Sequence, residues 1–147
     1  MNITIRKAEL YHLAAICRIE EENFPSPAWS QTFIEGKLQD PGVHFLVSEA
    51  EGKLLGYAVV QYMPPEAELL NIAIDRPFQG KGIGRQLVSF LLEEGRAQGL
   101  ETIYLEARAS NTRALTLYRS LGFQQTGLRK NYYQNPEEDA MLMAKTL

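Results

Sequence analysis

The sequence predicts a mixed α/β (α+β) fold, built on one mostly antiparallel sheet of about seven strands with about four helices. Three observations carry this. Short stretches at both ends and through the middle of the chain alternate apolar with polar residues, the mark of strands with one buried face. Gly84, Leu87, Val88, Leu91, Leu92 and Gly95 follow i, i+3, i+4, i+7 spacing, a continuous apolar stripe along a helix. Most of the strands are joined as hairpins or lie outside any strand-helix-strand repeat, so the sheet is not expected to be doubly wound.

Taken in order, Ile3 and Ile5 alternate with polar neighbours and open the chain as a strand, after which Leu10, Leu13, Ala14 and Cys17 adopt helical spacing. Phe24-Pro25-Ser26-Pro27 ends this helix, because each proline lacks an N–H and restricts the residue before it. Ser30 is placed to N-cap a second, shorter helix carrying Phe33, Ile34 and Leu38, which Asp40-Pro41-Gly42 breaks. Val43 to Glu49 and Leu54 to Tyr62 read as a hairpin turned at Ala50-Glu51-Gly52-Lys53. Pro64-Pro65 ends its second strand. Leu69 to Ile74 form the next, with Leu70, Ile72 and Ile74 expected on one face and Asn71 and Ala73 on the other. The striped helix follows and ends near Gly99. Thr102 to Ala107 alternate again, and Ala114, Leu115, Leu117, Tyr118 and Leu121 mark a short helix stopped by Gly122. Phe123 to Leu128 and Ala140 to Leu147 supply the last two strands. With no repeat, low-complexity tract or linker, residues 1–147 are expected to form a single domain.

A chain of 147 residues can bury a core without disulfides or a structural metal, and 45% hydrophobic with 22% charged residues is an ordinary globular balance. A net charge of -3 offers no basic field for nucleic acid. Cys17 is the only cysteine, which excludes an internal disulfide and a thiolate metal cluster and fits the cytoplasm. The first residues lack the apolar core of a signal peptide, and no apolar run approaches the roughly 20 residues that span a bilayer, so no membrane partner is expected. His12 and His44 fall on separate elements without paired ligand spacing, so no metal site is expected either.

The run Gln79-Gly80-Lys81-Gly82-Ile83-Gly84-Arg85 stands between a strand and the striped helix. Three glycines in five residues let the backbone approach a ligand, and the helix N-terminus behind them attracts anions, with Lys81 and Arg85 able to add charge. The run alone serves equally well as a turn that packs a helix onto a sheet. A nucleoside-triphosphate loop would need Ser or Thr after Gly80-Lys81, where Gly82 stands. A dinucleotide fold is the stronger rival, but Asp75 to Gln79 make the turn too long and Arg85 occupies the place of its third spaced glycine.

In this setting the chain resembles the GNAT acetyltransferase superfamily, whose signature is Gln/Arg-x-x-Gly-x-Gly/Ala; Gln79-Gly80-Lys81-Gly82-Ile83-Gly84 matches each position. Leu105-Glu106-Ala107-Arg108-Ala109-Ser110-Asn111, then Leu117-Tyr118-Arg119-Ser120-Leu121-Gly122-Phe123, is similar to the ribosomal-protein-alanine N-acetyltransferase branch. Phe24-Pro25, Trp29-Ser30, Arg129-Lys130-Asn131-Tyr132-Tyr133 and Glu138-Asp139-Ala140 extend the resemblance over nearly the whole chain. One departure is Pro27-Ala28-Trp29-Ser30, where that branch usually reads Pro-Trp-Ser, in a region that shapes the acceptor site in such enzymes.

The resemblance implies a sheet splayed at an acetyl-CoA site and direct acetyl transfer to an amine. The acceptor it implies is the N-terminal amine of a protein, a ribosomal protein N-terminal alanine above all. An α-amino group has a reference pKa of about 7.7 to 8.0, so a modest base can deprotonate it near neutral pH. Glu106 takes the role of general base by resemblance; from the residues alone it reads as a surface carboxylate ending a strand. Tyr118 is the expected general acid, since a phenol with a pKa of about 10 keeps a proton for the departing thiolate. Asn111, two helical turns before Tyr118, is suited to cap the helix, and the resemblance adds a pantetheine contact. The backbone of Ile72, Ala73 and Ile74 would pair with the pantetheine arm like an added strand. Trp29, Tyr132 and Tyr133 are candidates for the acceptor site, although the two tyrosines read equally as strand-edge packing. Arg76 and Arg108 are expected to be solvated surface charges, and Cys17 a packing residue. Two alternatives stay open: a small-molecule amine or lysine as acceptor, and a noncatalytic module that binds acetyl-CoA or a dinucleotide.

Overall fold

The structure is a computed structural model that describes residues 1–24 and 28–147. Among them the alternating and striped segments become seven strands and four α-helices. The order is β1 (Thr4–Lys7), α1 (Leu13–Asn23), α2 (Gln31–Gln39), β2 (Val43–Ala50), β3 (Lys53–Met63), β4 (Glu66–Ile74), α3 (Ile83–Ala97), β5 (Thr102–Arg108), α4 (Thr112–Ser120), β6 (Gln124–Tyr133) and β7 (Glu138–Thr146). They form one sheet in the order β1-β2-β3-β4-β5-β7-β6. Every neighbouring pair is antiparallel except β4 and β5. Mixed α/β with a mostly antiparallel seven-stranded sheet is what the sequence predicts.

Helices cover both faces of the sheet. On one, Leu87, Val88 and Leu91 of α3 pack with Ala58, Val60, Leu69, Ile103 and Leu105, and Tyr118 and Phe123 close the same cluster. On the other, Ile16 and Ile19 of α1 and Ile34 of α2 pack with Phe45, Val47, Tyr57 and Val59. β3 is therefore buried on both faces, which is why its apolar run is nearly continuous. Ser30 caps α2 as expected, its Oγ accepting from the N–H of Phe33 at 3.1 Å. α1 ends at Asn23; the expected break at Pro25-Ser26-Pro27, and Pro27 ahead of Ala28, lie outside the described residues.

Three expectations are corrected. β4 begins at Glu66, directly after Pro64-Pro65, because Glu66 pairs with Met63 across a tight turn; its polar start conceals the strand. β6 runs on to Tyr133, since pairing with β7 out to Tyr133 and Glu138 sustains an exposed edge strand that needs no apolar alternation. β4 is also bulged. Leu69 lies opposite Val60 and Asn71 opposite Val59, leaving Leu70 as the extra residue. Leu70 thereby joins Ala73 on the α1–α2 face while Ile72 and Ile74 pack toward α3, so the three do not share a face.

Candidate active site

β4 and β5 run parallel, and their pairing extends only from Glu66–Thr102 to Leu69–Leu105. Beyond it β4 continues to Ile74 and β5 to Arg108 with no pairs between them, so the sheet opens toward the C-terminal ends of its two parallel strands. The chain leaving β4 leads through the glycine run into α3, and the chain leaving β5 leads through Asn111 into α4. Two helix N-termini thus face the same end of the opening, an arrangement suited to an anionic, extended ligand.

Gly80 and Gly82 have φ of 77° and 84°, where an L side chain is strained, so glycine is required to form this loop. Gly82 is the N-cap of α3 and its carbonyl accepts from the N–H of Gln86 at 3.1 Å, which leaves the N–H groups of Gly82 to Arg85 without intrahelical acceptors. A Cβ on Gly84 would sit 3.5 Å from Leu117 Cδ2, so a small residue here lets α3 approach α4. Gln79 turns back from the loop: its Nε2 donates to the carbonyl of Ile74 at 2.9 Å and to Asn23 Oδ1 at 3.1 Å. Lys81 is exposed, whereas the Arg85 guanidinium donates to Ser120 Oγ at 2.6 Å and ties α3 to α4. Arg113, which sequence reasoning passed over, brings its guanidinium within 3.7 Å of where Gly80 would carry a Cβ. Its position on the first turn of α4 gives no signal until the fold sets α4 against the loop.

Asn111 caps α4 as expected, Oδ1 accepting from the N–H of Ala114 at 3.2 Å. Tyr118 lies on the same helix, 5% exposed, with the ring of Phe123 edge-on at 5.8 Å. Burial, reinforced by nearby Tyr133, pushes the Tyr118 hydroxyl up to about 12, so it stays protonated through the neutral range.

Ile103, Leu105 and Ala107 of β5 face α3, so Glu106 points to the opposite side of the sheet. It stands two residues inside the strand, opposite Leu142, and not at the strand end that its sequence suggested. Its carboxylate meets Arg129 Nε at 3.4 Å. Around it, Glu68 is raised above the ordinary carboxylate range, first by burial and then by the charge of Glu106. The same charge leads the upward shift of Tyr132, and burial followed by Glu106 pushes Tyr133 up to about 12. The two tyrosine rings meet edge to face at 5.1 Å. Tyr132 and Tyr133 are thus in contact with each other, and the charge of Glu106 is felt by both.

Arg108 is not the solvated charge that an isolated arginine suggests. It stacks 4.5 Å over Tyr133 and donates to Glu138 and to the carbonyls of Gln134 and Pro136, while the other Glu138 oxygen accepts from the N–H of Ser110 at 2.6 Å. These bonds fix the β6–β7 turn and hold Glu138 below the usual carboxylate range. Arg76 is likewise engaged, donating to the carbonyl of Glu22 at 2.7 Å. Asn131 bulges β6 at φ 55°, a value asparagine tolerates, and its N–H donates to Asp139 Oδ1. Trp29 lies apart from the tyrosines. It packs on Phe33 at 4.9 Å, and among the described residues no hydrogen bond or ring contact joins it to Tyr132 or Tyr133.

The profile of the Acetyltransferase (GNAT) family matches residues 8–123. The chain belongs to the GNAT acetyltransferase family. It is 37% identical over 143 residues to the [ribosomal protein bS18]-alanine N-acetyltransferase of Escherichia coli (strain K12), covering 96% of this chain and 95% of that one. It is 39% identical over 121 residues, 80% of this chain and 75% of the relative, to N-alpha-acetyltransferase RimI of Mycobacterium tuberculosis. The crystal structure of the ribosomal-protein-S18-alanine N-acetyltransferase from Escherichia coli superposes with a TM-score of 0.91 at 35% identity, over 99% of this chain and 94% of that one. GNAT enzymes use acetyl-CoA, so the opened sheet and glycine loop belong to an acetyltransferase.

Proposed function

We propose that this GNAT chain, acting as one domain over residues 1–147, transfers acetyl from acetyl-CoA to the N-terminal α-amine of a protein in the cytoplasm, a ribosomal protein N-terminal alanine in particular. One observation supports the reading: β4 and β5 separate beyond Leu69 and Leu105, Glu106 stands on the unpaired stretch of β5, and the chain leaving β5 leads into α4, which carries the buried Tyr118. The named relatives at 37% and 39% identity support the acceptor class.

Bound acetyl-CoA would supply the acetyl group as a thioester. The loop fits its pyrophosphate: two left-handed glycines, unsatisfied N–H groups at the start of α3, and Lys81 and Arg113 at hand. Ile72, Ala73 and Ile74 line the unpaired stretch of β4, where an extended pantetheine arm can take backbone hydrogen bonds, with Asn111 across the opening. Glu106 draws the proton from the acceptor amine, directly or through water, and Tyr118 returns a proton to the thiolate that leaves. Tyr132, Tyr133 and Trp29 border the acceptor, and the direct transfer calls on no metal.

The test is thiol release from acetyl-CoA with free N-terminal peptides, N-terminally blocked peptides, lysine peptides and polyamines. Turnover confined to free N-termini is expected. Equal turnover with blocked peptides or polyamines would reassign the acceptor, and parent-level turnover in both Glu106→Gln and Tyr118→Phe would remove the mechanism.

A further inference from the structure

Glu20 of α1 is 2% exposed, a depth carboxylates rarely reach without partners. Among the described residues, three donors converge on it. The Tyr57 hydroxyl at 2.5 Å and Asn71 Nδ2 at 2.7 Å reach Oε1, and the backbone N–H of Trp29 reaches Oε2 at 2.9 Å. They come from β3, from β4 and from the segment ahead of α2. Asn71 in turn accepts the N–H of Ile72 through its Oδ1 at 3.0 Å. An unbroken run of hydrogen bonds thus leads from the backbone at Trp29, through Glu20 and Asn71, to Ile72 in the unpaired stretch of β4.

Such a carboxylate is a poor means of stabilising a core, since an apolar side chain of the same volume would do so without desolvating a charge. α1 already buries Ile16 and Ile19 beside it. What no apolar side chain can do is fix the N–H of an irregular segment in one place. We propose that Glu20 is a positioning residue for the acceptor: it holds Trp29 at a set distance from β4, so that the acceptor bound beside Trp29 meets the acetyl group in register. This rests on the reading of Trp29 as an acceptor-site residue. It also explains how Trp29, ahead of α2, is held against the sheet, through a carboxylate whose second oxygen accepts from its N–H.

Glu20→Gln separates the two arms. The amide oxygen can still accept from Tyr57 and Asn71, but the amide NH2 then faces the N–H of Trp29, donor against donor. Trp29 is the only tryptophan of the chain, so its emission reports directly on this segment. The expected result is a red-shifted, more readily quenched Trp29 emission and an acceptor KM raised about tenfold, with kcat and the Kd for acetyl-CoA near those of the parent. Parent emission with parent acceptor KM overturns the proposal, as does a raised KM without a change in emission or an equal loss in acetyl-CoA affinity. Trp29→Ala separates the underlying reading: if it leaves the acceptor KM unchanged while Glu20→Gln shifts the emission, Trp29 is not at the acceptor site and the proposal falls with that reading. Should Glu20→Gln fail to fold, Glu20→Asp, which keeps the charge and withdraws it by one methylene, is judged by the same readouts.

Discussion

Gly56→Ala perturbs the opened strand from behind, without touching any candidate catalytic side chain. Gly56 lies opposite Ile74 at the end of the β3–β4 ladder, and a Cβ there would fall 2.8 Å from the carbonyl oxygen of Ala73 and 2.6 Å from Ile74 Cδ1. The Ile74 methyl can swing away. The carbonyl can retreat only if the end of β4 moves, because 2.8 Å is well inside the roughly 3.5 Å at which dispersion contacts become favourable. Overpacking of this kind costs about 1–3 kcal/mol. At about 2–4 °C per kcal/mol for a chain of this size, the melting temperature should fall by roughly 2–12 °C. Since the displaced residues are Ala73 and Ile74, acetyl-CoA affinity should fall as well, which titration calorimetry reads beside thermal denaturation. A variant melting within about 1 °C of the parent, with unchanged acetyl-CoA affinity, would refute both the close approach and the role given to this end of β4.

Glu106→Gln should lower kcat by roughly 10²-fold or more with little change in acetyl-CoA Kd, read by single-turnover kinetics and calorimetry; a larger loss in Kd than in kcat would make it a binding residue. Gly82→Ala, forced to keep φ 84°, should cost about 1–2 kcal/mol in stability and weaken acetyl-CoA, read by denaturant titration and equilibrium binding. In the pH profile, kcat/KM should rise through the α-amine titration near pH 8 and stay level to about pH 10, because Tyr118 holds its proton until about 12; a falling limb below pH 10 that disappears in Tyr118→Phe would contradict this. The Glu138 carboxyl is held low by Ser110 and Arg108, so its contribution is present above the ordinary carboxylate range and lost as pH falls through the lowered value. Protection factors of the amides in the β6–β7 hairpin, corrected for the intrinsic exchange rate, should fall with acid in the parent, and Glu138→Gln should remove that dependence.

The elements legible in the sequence are those whose side chains repeat with the backbone. The α3 stripe, the apolar runs of β2 and β3 with the turn between them, and the Ser30 and Asn111 caps each encode their structure within a few residues, and each forms as expected. What escaped depends on pairing between segments distant in sequence. Nothing in Glu66-Ala67-Glu68 declares a strand until β3 supplies its ladder, and nothing in Leu69-Leu70-Asn71 declares the bulge that turns Leu70 away from Ile72. β6 has the same origin: an exposed edge strand is held by backbone bonds to β7, and backbone bonds leave no mark in the side-chain pattern.

The site divides along the same line. The glycine run was readable because positive φ demands glycine, a constraint local to Gly80 and Gly82. Arg108, Arg113, Glu68 and Glu20 were not, since each meets residues far along the chain: Glu138, Gly80, Glu106, and Tyr57 with Asn71. That division has a consequence for acceptor choice. Loop and strand geometry at the opening is set by glycines and by one sheet. The proposed acceptor side would draw instead on three separate pieces, Trp29 by way of Glu20, Tyr132 and Tyr133 by way of Asn131 and Arg108, and Glu68 beside Glu106. Each piece can change without disturbing the glycine loop. Substitutions at Glu68 or Trp29 should therefore alter which N-termini are accepted while acetyl-CoA affinity stays constant, whereas substitutions at Gly82 should weaken acetyl-CoA equally for every acceptor.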